Sequence, residues 1–371
     1  MKKFLLASAA LGLAAALNAP AAFADILMGV AGPVSGQVAV IGEQMKRGVE
    51  MAVKDINAAG GINGEKLVAE IGDDGCDPKQ AVAVANQLAG KAVKGVIGHY
   101  CSSSSIPASK VYEEEGIMMI SPASTNPVLT DEGGWNVMRA CGRDDAQGTV
   151  AGKYIAATYK GKNVAIIDDK SAYGKGLADE TRKAMNADGL KEVLNESITA
   201  GEKDFSALVS KMKAANIDVV YFGAYHTDIG LILRQMRDQG LMAQGISGDA
   251  NNTEELAQIA GKASDGFIFT FAPDARNLPS AAPAVKSFKD AGFEPEGFTL
   301  VTYASVQAYA AAIKATGSTE GKKLAEWLRA GNPVETIIGT LTFNEKGDLK
   351  DPKYVFYKFQ DGKFAEDPGI K

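Results

Sequence analysis

KGVIGHYCSSSSIPASKVYEEEGIMMISPASTNP, residues 94–127, reads as strand, helix, strand and loop in quick succession. Residues 94–98 and 117–121 are short apolar runs bounded by Gly or polar residues, the pattern of buried strands. Between them, residues 102–115 carry the spacing of a helix. Strand and helix alternating in this way imply a parallel sheet with helices over both faces.

The alternation continues in both directions. Upstream, residues 26–30 and 66–71 read as strands, and residues 42–59 and 77–93 as helices. Asp77-Pro78-Lys79-Gln80 provides an N-cap acid, a proline at the first helical position and a glutamine three residues after the cap. Ala59-Gly60-Gly61 stops the helix before it. After a loop over residues 139–145 the rhythm restarts. Residues 164–168, 219–222 and 245–247 are predicted strands, and 173–188, 204–214 and 227–240 predicted helices. Two such series predict two similar α/β lobes, each a doubly wound parallel sheet. In open sheets of this type ligands bind beyond the carboxyl ends of the strands, so the loops that follow strands are where chemistry is expected.

Five such loops agree with one another. His99-Tyr100-Cys101 leads into Ser102–Ser105, where hydroxyls and free N–H groups at a helix start can cradle a carboxylate or simply cap the helix. Pro122-Ala123-Ser124-Thr125-Asn126-Pro127 presents a carbonyl and hydroxyls on a proline-bracketed backbone, suited to both ends of a zwitterion; it equally reads as a turn. In the second series the loops are 168–174, with Tyr173; 224–226, with Tyr225; and 248–249, with Asp249. An acid at such an edge can pair with an ammonium, or cap the next helix, and aromatic rings can wall an apolar side chain. Together the five predict a site for a free amino acid.

Bulk properties narrow the classes. Lys2 and Lys3, the apolar residues 4–17 and Ala22-Phe23-Ala24 have the order of a secretory signal, with cleavage expected after Ala24. Its apolar stretch falls short of the roughly 20 residues that span a bilayer. The expected mature chain keeps 347 of 371 residues, and losing two lysines takes the formal charge from −6 to −8. An acidic chain of about two domains is a poor fit to nucleic acid or to an anionic membrane surface, and it is expected to be soluble. Two histidines and three cysteines in no tight spacing make a metal site improbable, and no cofactor is expected. In an oxidising compartment two of Cys76, Cys101 and Cys141 can pair.

Catalytic signatures are absent. Gly32-Pro33-Val34-Ser35-Gly36 has the wrong order for a nucleophile elbow, no phosphate-binding glycine loop occurs, and neither His99 nor His226 has a triad around it.

The chain resembles the periplasmic leucine-isoleucine-valine-binding proteins of ABC importers, from Asp25 to its C-terminal region. The likeness is densest at residues 76–86 (CDPKQAVAVAN), 101–104, 121–125, 199–206 (TAGEKDFS) and 343–350 (FNEKGDLK). It implies a type I periplasmic binding protein fold: two Rossmann-like lobes joined by three crossovers, one lobe of residues 25–143 with 273–352, the other of 144–272 with 353–371. It further implies a ligand carboxylate held by Ser102 and Thr125, and an ammonium received by the Ala123 carbonyl, the Thr125 hydroxyl and Asp249. Tyr173 and Tyr225 would close over the ligand, with Ile41, Tyr100, Cys101 and Phe298 around its side chain. The family pairs the cysteines matching Cys76 and Cys101, which leaves Cys141 unpaired.

By the same resemblance the protein is a non-catalytic monomer that hands its ligand to an inner-membrane permease. Two positions depart from the branched-chain-specific pattern: Asp249 replaces Glu, and Ile41 replaces an aromatic residue. Leucine, isoleucine or valine leads, and alanine, proline and GABA also fit. A sensor reporting to a receptor is the alternative from another class, and an α/β enzyme the third.

Overall fold

A computed structural model describes residues 25–370. Residues 1–24, which hold the expected secretory signal, lie outside the described residues. The first lobe alternates β1 (Ile26–Gly32), α1 (Ala39–Ala58), β2 (Leu67–Asp73), α2 (Pro78–Gly90), β3 (Gly95–Gly98), α3 (Ser102–Glu114), β4 (Met118–Ser121), the single turn α4 (Val128–Asp131) and β5 (Val137–Arg139). All five strands are parallel, in the order β2-β1-β3-β4-β5. Strands β1, β3 and β4 are buried almost throughout, which is why they read as continuous apolar runs.

The second lobe runs α5 (Asp144–Thr158), β6 (Val164–Asp168), α6 (Ala172–Ala187), β7 (Leu194–Ser197), α7 (Ser206–Ala214), β8 (Val219–Gly223), α8 (His226–Asp238), β9 (Gln244–Ser247), α9 (Glu255–Ala260) and β10 (Ile268–Phe271). The chain then returns to the first lobe for α10 (Ala282–Asp290), α11 (Thr299–Thr316), α12 (Gly321–Arg329) and the small hairpin β11 (Val334–Thr336) and β12 (Gly339–Leu341). Residues of α11 and α12 share one apolar core with β1, β3 and β4. Finally β13 (Val355–Gln360) joins the second sheet antiparallel to β10, and β14 (Lys363–Glu366) pairs antiparallel with β13 at its edge, in the order β14-β13-β10-β9-β8-β6-β7. The chain therefore passes between the sheets three times, after β5, after β10 and before β13.

Local chemistry follows the sequence at several joints. The Asp77 carboxylate accepts from the N–H groups of Lys79 and Gln80, with Pro78 in the first turn. The Gln80 amide does not reach back to the cap; it donates to the Asp73 carbonyl at 2.7 Å, fixing the preceding loop. The expected loop at 139–145 is shorter than read: Arg139 ends β5 and Asp144 already opens α5. That helix escapes an amphipathic reading because it is buried through small residues. A Cβ on Gly152 would stand 2.5 Å from the Thr181 carbonyl of α6, so the two helices meet backbone to backbone.

Candidate functional site

The loops at the carboxyl ends of β3, β4, β6, β8 and β9 converge between the lobes. Ile41, Tyr100, Cys101, Ala123, Tyr173, Tyr225 and Phe298 belong to one buried apolar cluster that draws on both lobes. Tyr100 is its centre: its ring lies 5.8 Å from Tyr225 and 5.3 Å, edge-on, from Phe298. Tyr225 in turn meets Tyr173 at 5.2 Å. Such tilted and edge-on pairs fill space and add attraction beyond area alone.

The polar rim of the first lobe is held from several sides. A disulfide joins Cys76 to Cys101, with Cα atoms 5.6 Å apart, and so fastens the start of α3 to the loop before α2. Ser102 opens α3, and its hydroxyl accepts from the Asn126 N–H at 3.3 Å. The hydroxyls of Ser105 and Ser124 share a hydrogen bond of 2.6 Å, and Ser124 also donates to the Tyr100 carbonyl. Beneath them buried Arg139 donates to the carbonyls of Ser124 and Asn126 at 2.9 and 3.0 Å, and its Nε pairs with Asp348 at 2.8 Å. Thr125, the residue between those two carbonyls, is thus held by its neighbours while its own Oγ1 is buried without a hydrogen-bond partner. The serine run is therefore more than a helix cap: two of its hydroxyls bind α3 to the loop 121–126.

On the opposing rim, Tyr173 Oη donates to Asp249 Oδ1 at 3.0 Å and accepts from the Ala250 N–H at 3.2 Å. Burial pushes the Asp249 carboxyl up to about 6, with the Tyr173 hydrogen bond opposing the rise. The rims touch: Asn126 Nδ2 donates to the Ala172 carbonyl at 2.6 Å, and the Thr253 hydroxyl donates to Glu296 at 3.1 Å. Tyr100 Oη, Tyr225 Oη, Gln147 Oε1 and Asp169 Oδ2 are buried without partners. Buried polar groups are ordinarily hydrogen-bonded, so such a concentration at one cleft marks a place prepared for a polar ligand.

All ten residues expected at the site thus lie on the two facing rims or in the cluster between them. Sequence reading missed Asp144, whose N–H donates to the Thr125 carbonyl at 2.9 Å, and Gln147 one turn further along α5. Acids at a helix start are ordinarily taken as partners of the helix dipole, and nothing in the sequence places them beside Thr125. The histidines are structural: buried His99 lies between Asp74 and Tyr112, and His226 pairs with Glu255 at 2.7 Å. Among the described residues no cluster of three or more His, Cys, Asp or Glu side chains is arranged to hold a metal, and no helix is long and apolar enough to cross a membrane.

Asp249 and Phe298 also border a cavity of about 370 Å³ on the side of the interlobe connections. Cys141 and Gly142, Ala272–Arg276 and Lys350–Tyr354 are among its walls.

The described chain matches the family model for periplasmic binding protein over residues 25–363. It is 52% identical over 362 residues to Leu/Ile/Val-binding protein homolog 1 of Brucella suis, covering 98% of this chain and 97% of that one. It is 51% identical over 352 residues to an amino acid binding protein of Pseudomonas aeruginosa, 94% of each chain. Among solved structures it is similar to the branched-chain amino acid transporter substrate binding protein LivJ of Streptococcus pneumoniae in complex with isoleucine. That match has a TM-score of 0.85 and 26% identity, over 92% of this chain and 99% of that one.

Proposed function

This chain belongs to the periplasmic binding protein family, and on that premise we propose that it captures a free α-amino acid between its two lobes. Leucine, isoleucine and valine are the first candidates, given what the relatives are named for and what LivJ holds. In this reading the Ser102 hydroxyl and the Thr125 N–H take the carboxylate. The Ala123 carbonyl, the Thr125 hydroxyl and Asp249 receive the ammonium, and Tyr173 and Tyr225 cover the ligand. Ile41, Tyr100, Cys101 and Phe298 bound its side chain.

The observation that carries this is the division of the site. Hydroxyls and a carbonyl stand on one rim, and a buried carboxylate tied to Tyr173 stands on the other. A ligand can favour the closed form only through contacts it makes better there, and a zwitterion bridging the two rims makes them. The lobes we assign are residues 25–143 with 273–352, and 144–272 with 353–371. The mature chain, cleaved after Ala24, acts as a monomer in the periplasm and delivers the amino acid to an inner-membrane ABC permease. It performs no catalysis and needs no cofactor.

A thermal-shift screen against the twenty amino acids, followed by calorimetry, tests the reading. A ligand at a thousand times its Kd adds about 4 kcal/mol to stability. One or more small apolar amino acids should raise the melting temperature by several degrees; no shift with any of them would end the assignment.

A further inference from the structure

Asp144 lies fully buried at the start of α5, and neither of its carboxylate oxygens has a hydrogen-bond partner. Its backbone is fastened to the binding loop through the Thr125 carbonyl. Helix α6 closes over it: a Cβ on Gly176 would stand 2.5 Å from Asn126 Nδ2 and 3.7 Å from Asp144 Oδ2. A carboxylate sealed in this way needs a donor, a proton or a cation.

Of the neighbouring donors, Arg139 and Tyr173 are committed elsewhere. Arg139 gives its Nη1 to two carbonyls and its Nη2 to the Thr130 hydroxyl, while its Nε stands 2.8 Å from Asp348 as an ion pair. Tyr173 gives its proton to Asp249. The Thr125 hydroxyl lies beside Asp144 and has no partner. A hydroxyl has one proton and two lone pairs, so it can receive an ammonium only if its proton points away.

We propose that Asp144 is a positioning residue: it takes the Thr125 hydroxyl proton, turns that oxygen's lone pairs to the ligand ammonium and, with Asp249, makes the site select a cationic nitrogen over an isosteric hydroxyl. The inference rests on the amino-acid reading above and names the chemistry that sets its selectivity. Burial, with the charge of Asp249 second, pushes the Asp144 carboxyl well above the usual range, while the Thr125 hydroxyl and Arg139 pull it back. An arriving ammonium pulls in the same direction, because an opposite charge a few ångströms away favours the ionised form.

The test compares leucine with 2-hydroxy-4-methylpentanoate, or alanine with lactate if leucine is not bound, by calorimetry on full-length mature protein. Asp144→Asn should weaken the amino acid tenfold or more and the hydroxy acid less than threefold. Thr125→Ala should do the same, and the double variant should be no worse than Thr125→Ala alone, since both act through one hydroxyl. If Asp144→Asn does not fold, Asp144→Glu keeps the charge one methylene away, and it should lose amino-acid affinity at least fivefold with the hydroxy acid unchanged. Equal losses for both ligands, or losses that multiply in the double variant, overturn the role assigned to Asp144. A wild-type protein that binds no amino acid overturns the underlying reading instead, and the role of Asp144 with it.

Discussion

Tyr173 Oη and Asp249 Oδ1, 76 residues apart in sequence, meet at 3.0 Å on the rim of the second lobe. The phenol comes from the first turn of α6 and the carboxylate from the loop after β9. Packing of the two elements therefore fixes the Asp249 carboxylate on that rim. Removing the donor with Tyr173→Phe should weaken amino-acid binding five- to tenfold, the loss of about one good hydrogen bond. Asp249→Asn should cost a hundredfold or more, because it removes the charge that receives the ammonium. Isothermal titration of both variants checks the order.

Thr125 is predicted to matter as much as Tyr173. Thr125→Ala deletes a buried hydroxyl but leaves the loop held by Arg139, so folding should be spared while affinity falls about tenfold or more. Near-wild-type binding in the same titration would remove the loop from the site.

Ligand binding should depend on pH with a definite sign. The Asp249 carboxyl is raised to about 6 in the folded protein, so the native state holds its proton more tightly than the unfolded chain does. On that account the ligand-free protein loses stability as pH climbs from about 4 to about 6. The ammonium needs the ionised form, so affinity should move the other way. Kd should be roughly tenfold weaker at pH 5 than above pH 7, with protons released on binding at the lower pH. Asp249→Asn should flatten the profile; titrations in buffers of different ionisation enthalpy measure the proton count.

The Cys76–Cys101 disulfide closes a loop across a separation of 25 residues, worth about 3 kcal/mol in the loop-entropy model. Cys76→Ser with Cys101→Ser, or a reductant, should lower the denaturant midpoint accordingly. Affinity should fall as well, since Cys101 directly precedes Ser102 and freeing it loosens the start of α3.

Arg139 offers a separate check on the frame beneath the site. Arg139→Met leaves two carbonyls unpaired and Asp348 short of a partner in a buried setting, which should cost about 3–5 kcal/mol in denaturant unfolding.

Much of this was legible in the residues. Strands β1, β3, β4, β6, β8 and β9 could be read because both of their faces are covered, which leaves short apolar runs between glycines and polar loops. Loops after strands, and the residues that the resemblance implies, led to both rims of the site. Other parts could not be read. Strand β7, Leu194-Asn195-Glu196-Ser197, lies at a sheet edge and is half exposed, so its apolar signal is weak. Helix α5 packs through glycines and alanines that leave little amphipathic pattern. Asp144 shows its character only in three dimensions: its spacing suggests an acid complementing a helix dipole, and its burial beside Thr125 is produced by α5 and α6 packing together.

The most direct measurement is a crystal structure of the mature protein with the amino acid that stabilises it most. It should show the ligand carboxylate within hydrogen-bond distance of Ser102 Oγ and the Thr125 N–H, and its ammonium between the Ala123 carbonyl and Asp249. A ligand seated instead in the cavity among the interlobe connections, away from Ser102 and Thr125, would contradict the account.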